Sequence, residues 1–138
     1  HLQGRFDGYP KRRGVTRVPE LLDAGLKVCF GQDSIRDPWY PMGNGNLLRT
    51  LDVGLHACHM LGMERIDTAL EIVTDNGAAA LNLKAYEIVV GNPARCMLVN
   101  GATPYEVLLN QSPVLASIRD GRCLVQREVP VHEVAGWS

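Results

Sequence analysis

The sequence predicts an α/β fold, and three observations carry that prediction. A helical apolar set at Val18, Leu21 and Leu22 meets Gly25 and then a short apolar run, Leu26 to Phe30. A longer set at Leu47, Leu48, Leu51, Leu55 and Cys58 repeats near 3.6 residues, which predicts a helix of about four turns. From Tyr86 onward the texture changes to short β-rich runs separated by Gly, Pro and Asn.

Residues 1–14 are rich in Gly, Arg and turn formers and read as a loop. Thr16 is the expected N-cap of the first helix, with Glu20 and Asp23 early in it. Gly25 is a natural helix stop. The run 26–30 then predicts a strand of the fully buried type, for which this chain holds no neighbouring strands. MERIDTALEIVTDNGAAALNL predicts two short helices, the first led by Arg65 or Asp67. The second begins near Asp75 and Asn76, with Ala78, Ala79 and Leu81 packed inward. Beyond residue 84 an all-β part is expected, with IRDGRCLVQ as a hairpin bent at Asp120 and Gly121. The domain division is therefore 1–84 and 85–138.

Composition narrows the classes. The 138 residues suit a domain of ordinary size, and 46% apolar with 21% charged residues is normal for a globular protein. A net charge of -1 argues against a nucleic-acid partner or an anionic membrane surface. The basic cluster Lys11, Arg12 and Arg13 reads as a solvated loop. No apolar run approaches the roughly 20 residues that span a bilayer. Cys29, Cys58, Cys96 and Cys123 are widely spaced in apolar company, which predicts reduced, buried thiols and a cytoplasmic location. The chain opens at His1 without Met, so a longer parent protein is expected.

The chemistry concentrates in KVCFGQDSIRDPWYP. An apolar run ends at Gln32, Asp33 and Ser34, and a rigid aromatic loop, Asp37-Pro38-Trp39-Tyr40-Pro41, follows. An Asp after a strand is commonly a turn former or a helix cap. A metal or substrate site is the sharper reading. Asp37, before Pro38, is expected to be a turn residue. HACH places His56 and His59 three apart with Cys58 between them, and partly buried, hydrogen-bonded histidines are expected there. GNGN at 43–46 lacks the Lys and Ser or Thr of a phosphate loop.

In order along the chain, Leu2-Gln3-Gly4-Arg5, Pro10-Lys11-Arg12-Arg13-Gly14, Asp33 with Asp37-Pro38-Trp39-Tyr40-Pro41, GLHACHMLG, EIVTDNGAAALNL and GNPARCMLVNG resemble the C-terminal part of bacterial cytosine deaminases, in the amidohydrolase superfamily. The resemblance covers nearly the whole chain. It implies the C-terminal part of a distorted (β/α)8, TIM-like barrel over 1–84, followed by strands of a small composite β-sandwich over 85–138. It implies Asp33 as a ligand of a divalent metal, iron or zinc, and as proton acceptor for a metal-activated water. That water attacks the amine-bearing ring carbon and ammonia leaves. Trp39 matches an aromatic wall of the pyrimidine pocket, and Ser34 matches a substrate-facing position. The implied setting is cytoplasmic pyrimidine metabolism, with a possible homo-oligomer for a full-length protein.

Two positions depart from the family. Gln32 and Ser34 stand where the family commonly has His and a second Asp. A hydroxyl can donate as well as accept, whereas a carboxylate only accepts. The substrate is thus cytosine or a related amino-heterocycle, such as isocytosine, a methylated cytosine or creatinine. The family's His-x-His pair and the Glu and His that shuttle protons have no counterpart here. The four histidines are His1, His56, His59 and His132. The ligand set is incomplete, so the isolated chain is expected to be inactive. An alternative class is a short non-catalytic binding or interaction module. The unpaired apolar run 26–30 would be an aggregation risk in such a free-standing protein. A third is an amidohydrolase acting on a cyclic amide through the same Asp33.

Overall fold

The computed structural model describes residues 8–9 and 14–128. The quoted runs Leu2–Arg5 and Pro10–Arg13, together with His1 and His132, lie outside the described residues. The chain divides into two compact units, His1–Lys84 and Ala85–Ser138.

In the first unit the elements are α1 (Val18–Asp23), α2 (Leu47–Ala57), α3 (Met63–Ile66), a 3-10 helix (Ala69–Val73) and α4 (Asp75–Ala80). Helices α2, α3 and α4 all pack on the 3-10 helix. Its Ala69 and Ile72 are buried, as are Leu51 and Leu55 of α2, Val18 of α1 and Ala78 of α4. Leu51 is fully buried at the centre of this core. Asn46 caps α2, its side-chain oxygen accepting from the Leu48 N–H at 3.0 Å. The Arg65 guanidinium pairs with Asp23 and ties α3 to the end of α1.

Four helices end the same way. After α1 the Leu26 N–H donates to the Leu21 carbonyl and the Gly25 N–H to that of Leu22, with Gly25 at φ +79°. This double bond pattern is the Schellman motif, which satisfies carbonyls the helix leaves orphaned. After α2, α4 and α5 (Pro104–Leu109) the left-handed position is held by His59, Asn82 and Gln111 instead, at φ 56°, 51° and 45°. The α2 motif stops that helix one turn short of the predicted four. There the Met60 N–H donates to the Leu55 carbonyl at 2.8 Å, and both residues are buried.

The predicted strand at 26–30 does not form. A strand needs a ladder partner. This run instead makes the Phe30 N–H bond to the Ile72 carbonyl at 3.2 Å and accepts at the Val28 carbonyl from Asn76 Nδ2 at 3.0 Å. Nor is it fully buried: Leu26 and Cys29 are exposed. The run is held from the side by α2. A Cβ on Gly54 would overlap the Phe30 ring, so the helix and the extended run meet at a distance only glycine permits.

Other expectations are corrected too. The N-cap of α1 is Arg17, without a side-chain cap bond, because Thr16 offers the Val18 N–H only its carbonyl. Asp23 closes α1. Ala79 and Leu81 face outward. Cys29 and Cys123 are exposed and Cys58 and Cys96 half-buried, all four as free thiols. No helix among the described residues is long and apolar enough to cross a membrane.

Among the described residues the second unit holds an antiparallel sheet in the order β1 (Arg95–Val99), β2 (Val114–Arg119), β3 (Arg122–Gln126). It is not all-β, since α5 lies between β1 and β2. Thr103 caps α5 by accepting from the Glu106 N–H at 3.1 Å, and Glu106 reaches back to the Ala102 N–H at 2.9 Å. Thr103, Pro104 and Glu106 are a readable helix-start signature that the sequence analysis overlooked. Val107 and Leu108 are buried, and the buried Ser112 hydroxyl donates to the Asn100 carbonyl. Asp120 and Gly121 form the bend of the β2–β3 hairpin, with Arg119 paired to Arg122 and both turn residues at positive φ. That is the type I′ geometry. Asp120 also accepts from Arg95 Nε at 2.7 Å.

Gly54→Ala is expected to destabilise the first unit. Overpacking against Phe30 costs about 1–3 kcal/mol, more than the roughly 1 kcal/mol alanine gains in helix propensity. Denaturant unfolding measures it, and Phe30→Leu in the same chain should restore part of the loss. His59→Gly is expected to raise stability by up to about 1 kcal/mol, because it relieves a left-handed residue. A fall in the unfolding midpoint would contradict that reading of His59.

Candidate active site

The segment after Phe30 turns along one wall of a cavity of about 480 Å³. Gly31, Gln32, Asp33 and Ser34 form that wall, Trp39 and Tyr40 the rim, and Arg49, Thr50 and Val53 of α2 the facing side. The volume lies within the range of small-molecule sites. The three residues singled out from the sequence, Asp33, Ser34 and Trp39, thus share one cavity.

Asp33 stands exposed at the cavity wall and Ser34 is half-buried. Trp39 is 60% exposed, too much for a residue that merely fills a core. Its position is set by Asp37, whose Oδ1 accepts from the Trp39 N–H at 3.0 Å and the Tyr40 N–H at 2.9 Å. The Asp37 carboxylate is a turn residue in the loop. The Tyr40 N–H first, with help from the Ser34 side chain and the Trp39 N–H, holds its carboxyl below the ordinary aspartate range.

The wall and the rim are joined by Gln32, which the sequence analysis noted only as a departure from the family. Its Nε2 donates to the Ser34 carbonyl at 3.2 Å, and its Oε1 accepts from the Gly45 N–H at 3.0 Å. Gly43 is buried against them, and its N–H donates to the Tyr40 carbonyl at 3.0 Å. GNGN is therefore a structural turn that leads into the Asn46 cap of α2. No local sequence signal pairs residue 32 with residue 45. Arg49 Nη1 braces the same turn by donating to the Met42 carbonyl at 3.3 Å.

His56 and His59 are exposed rather than partly buried. His56 lies 3.6 Å from Asp52 one turn earlier on α2, and His59 serves as the helix end. Among the described residues no group of three or more His, Cys, Asp and Glu could hold a metal ion. Asp33 can offer one carboxylate, and one ligand does not make a catalytic metal site. The residues described here do not by themselves fit the metal that the resemblance implies.

Asp37 gives a pH test with a definite sign. Its pKa is lowered in the folded loop. The loop is therefore stabilised above the unfolded-state value, about 3.9, and loses that support as pH falls through the lower folded value. Trp39 fluorescence, read in a Trp137→Phe background, is expected to show an acid transition below about pH 4. Asp37→Asn keeps an acceptor and should abolish that transition.

Comparison with known proteins shows the family. The profile of the amidohydrolase family matches residues 1–125. An N-isopropylammelide isopropyl amidohydrolase from Pseudomonas sp. (strain ADP) is 30% identical over 83% of this chain and 28% of its own length. A pterin deaminase from Rhizobium rhizogenes is 32% identical over 94% of this chain and 30% of its own. The chain thus spans about three tenths of these relatives. The crystal structure of a 5-methylcytosine deaminase from Klebsiella pneumoniae liganded with phosphonocytosine superimposes with a TM-score of 0.90. That protein is 55% identical, over 97% of this chain and 33% of its own. An N-isopropylammelide isopropylaminohydrolase from Burkholderia multivorans gives a TM-score of 0.76 at 25% identity, over 85% and 30%. With its profile match running from residue 1 to residue 125, this chain belongs to the amidohydrolase family.

Proposed function

We propose that the chain is the C-terminal portion of a metal-dependent hydrolytic deaminase acting on 5-methylcytosine or a related amino-heterocycle. The observation that carries the reading is the convergence of Asp33, Ser34 and Trp39 on one cavity of about 480 Å³. It is supported by the 55% identity to a protein described as a 5-methylcytosine deaminase. In this reading residues 1–84 complete a (β/α)8 barrel and residues 85–138 contribute strands to a composite β-sandwich. The wealth of exposed apolar side chains agrees with such missing neighbours. Val53 on α2, Ile88 to Val90, and Leu124 and Val125 of β3 are all more than half exposed or at that level.

In a longer enzyme, Asp33 would be one carboxylate of the ligand set for a divalent iron or zinc, which would supply an activated water. Asp33 contributes one carboxylate and accepts the proton of the attacking water. The water oxygen would bond to the amine-bearing ring carbon, the proton taken by Asp33 would return to the exocyclic amine, and the C–N bond would break to release ammonia. The Trp39 ring offers a flat wall to a flat heterocycle. The Ser34 hydroxyl donates to the Asp37 carboxylate, which leaves its oxygen to accept from a ring N–H. A serine is also smaller than the aspartate common in the family, and so leaves room beside the ring for a methyl substituent.

The purified 138-residue chain is expected to release no ammonia from 5-methylcytosine, cytosine, isocytosine or a pterin. Turnover by that chain would sink the fragment reading. A hybrid in which this chain replaces the matching third of the Klebsiella 5-methylcytosine deaminase is expected to deaminate 5-methylcytosine. Asp33→Asn in the hybrid should lower kcat by roughly 10²- to 10⁴-fold. A folded, metal-loaded hybrid with no activity on any of these heterocycles would overturn the proposal.

A further inference from the structure

The Gln32 side chain makes two bonds that reach different parts of the site. One end holds the Ser34 carbonyl, on the wall that carries Asp33. The other end takes the Gly45 N–H, thirteen residues away, in the turn that delivers α2 and the facing wall. The amide orientation is forced, since a backbone N–H only donates and a carbonyl only accepts. Gly43 completes the junction. A Cβ there would overlap the Ser34 carbonyl oxygen and come within 2.7 Å of Gln32 Nε2 and 3.0 Å of Tyr40 Cδ1. Amide, buried glycine and carbonyl therefore occupy one packed site. The amide takes one backbone bond from each of two segments that no ladder or helix connects.

We propose that Gln32 is a positioning residue. It fixes the separation of the two cavity walls and, through the Ser34 backbone, the place of the Ser34 hydroxyl against the substrate ring. The inference rests on the proposed function for its kinetic consequence, while the clamp itself does not. A clamp that acts through Ser34 alters substrate binding first. A defect of folding alone removes active molecules, lowering apparent kcat and leaving KM unchanged.

The test uses Gln32→Met, which keeps length and loses both bonds, with Gly43→Ala as an independent way to spread the junction. In the hybrid enzyme, KM for 5-methylcytosine is expected to rise about tenfold in each variant, with kcat retained within a few-fold, as expected for loss of an interaction made equally to substrate and transition state. Amide hydrogen exchange of Gly45 is expected to quicken at least tenfold in Gln32→Met, while the Leu48 and Met60 amides, which report α2, stay protected. A fall in kcat at constant KM would overturn the positioning role. Unchanged Gly45 exchange in Gln32→Met, or unprotected Gly45 in the unsubstituted protein, would overturn the clamp. If the hybrid turns over no substrate, the functional reading fails, and Gly45 exchange in the 138-residue chain still decides the clamp.

Discussion

The contact between Phe30 and Gly54 is the constraint on which the site depends. The run from Leu26 to Ser34 carries the carboxylate of interest, yet it has no ladder to hold it. What fixes it laterally is an aromatic ring seated where residue 54 has no side chain. A single N–H bond to Ile72 fixes its height against the 3-10 helix, and the Asn76 amide secures it two residues earlier. Because Leu51 and Leu55 anchor α2 in the core on either side of Gly54, displacement of the run must work against the best-packed part of the unit. A polar, exposed Asp33 is thus presented by apolar packing three residues upstream.

The cavity itself is built mainly by backbone groups. Asp37, Gln32, Asn44, Asn46 and Arg49 all spend side-chain atoms on main-chain partners within residues 34–48. Such short polar bridges satisfy a loop that has too little apolar area to hold itself together. They leave Trp39 and Asp33 exposed at the cavity, while the half-buried Ser34 hydroxyl is shared with Asp37. The division of labour is physical: side chains that bind backbone set shape, and those left over meet a ligand.

What the sequence revealed follows the range of the interaction responsible. The Gly25 stop and the Asp120-Gly121 hairpin are decided within a few residues, and each was legible, whereas the equally local Asn46 cap was not picked out. The apolar run 26–30 looks like a buried strand because periodicity records hydrophobicity, whereas a strand is defined by a partner elsewhere. The end of α2 was missed because His59 holds the left-handed position that glycine commonly takes. Helix α5 had its signature in Thr103, Pro104 and Glu106, and the β texture around it drew attention away. Asp33, Ser34 and Trp39 were singled out by resemblance, not by spacing. The Gln32 amide reads as an inert departure until Gly45 is seen beside it.

The third strand raises a question of information. Every residue of β3 is exposed, including Leu124 and Val125. Burial normally specifies register, since a one-residue slip would turn a strand's apolar set toward water. In β3 a slip exchanges one exposed face for another, so burial gives no such signal. The two-residue bend sets the pairing of Arg119 with Arg122 and of Ile118 with Cys123, and an irregularity beyond Ile118 shifts it by one residue. The Arg95–Asp120 bridge and the Gly121 N–H bond to the Ala94 carbonyl tie the bend to the segment of β1. Such a hairpin zips outward from its turn on the microsecond scale of isolated hairpins. The first pairs are inherited from local chain geometry before any core exists to enforce them, and the pairs beyond the shift are not.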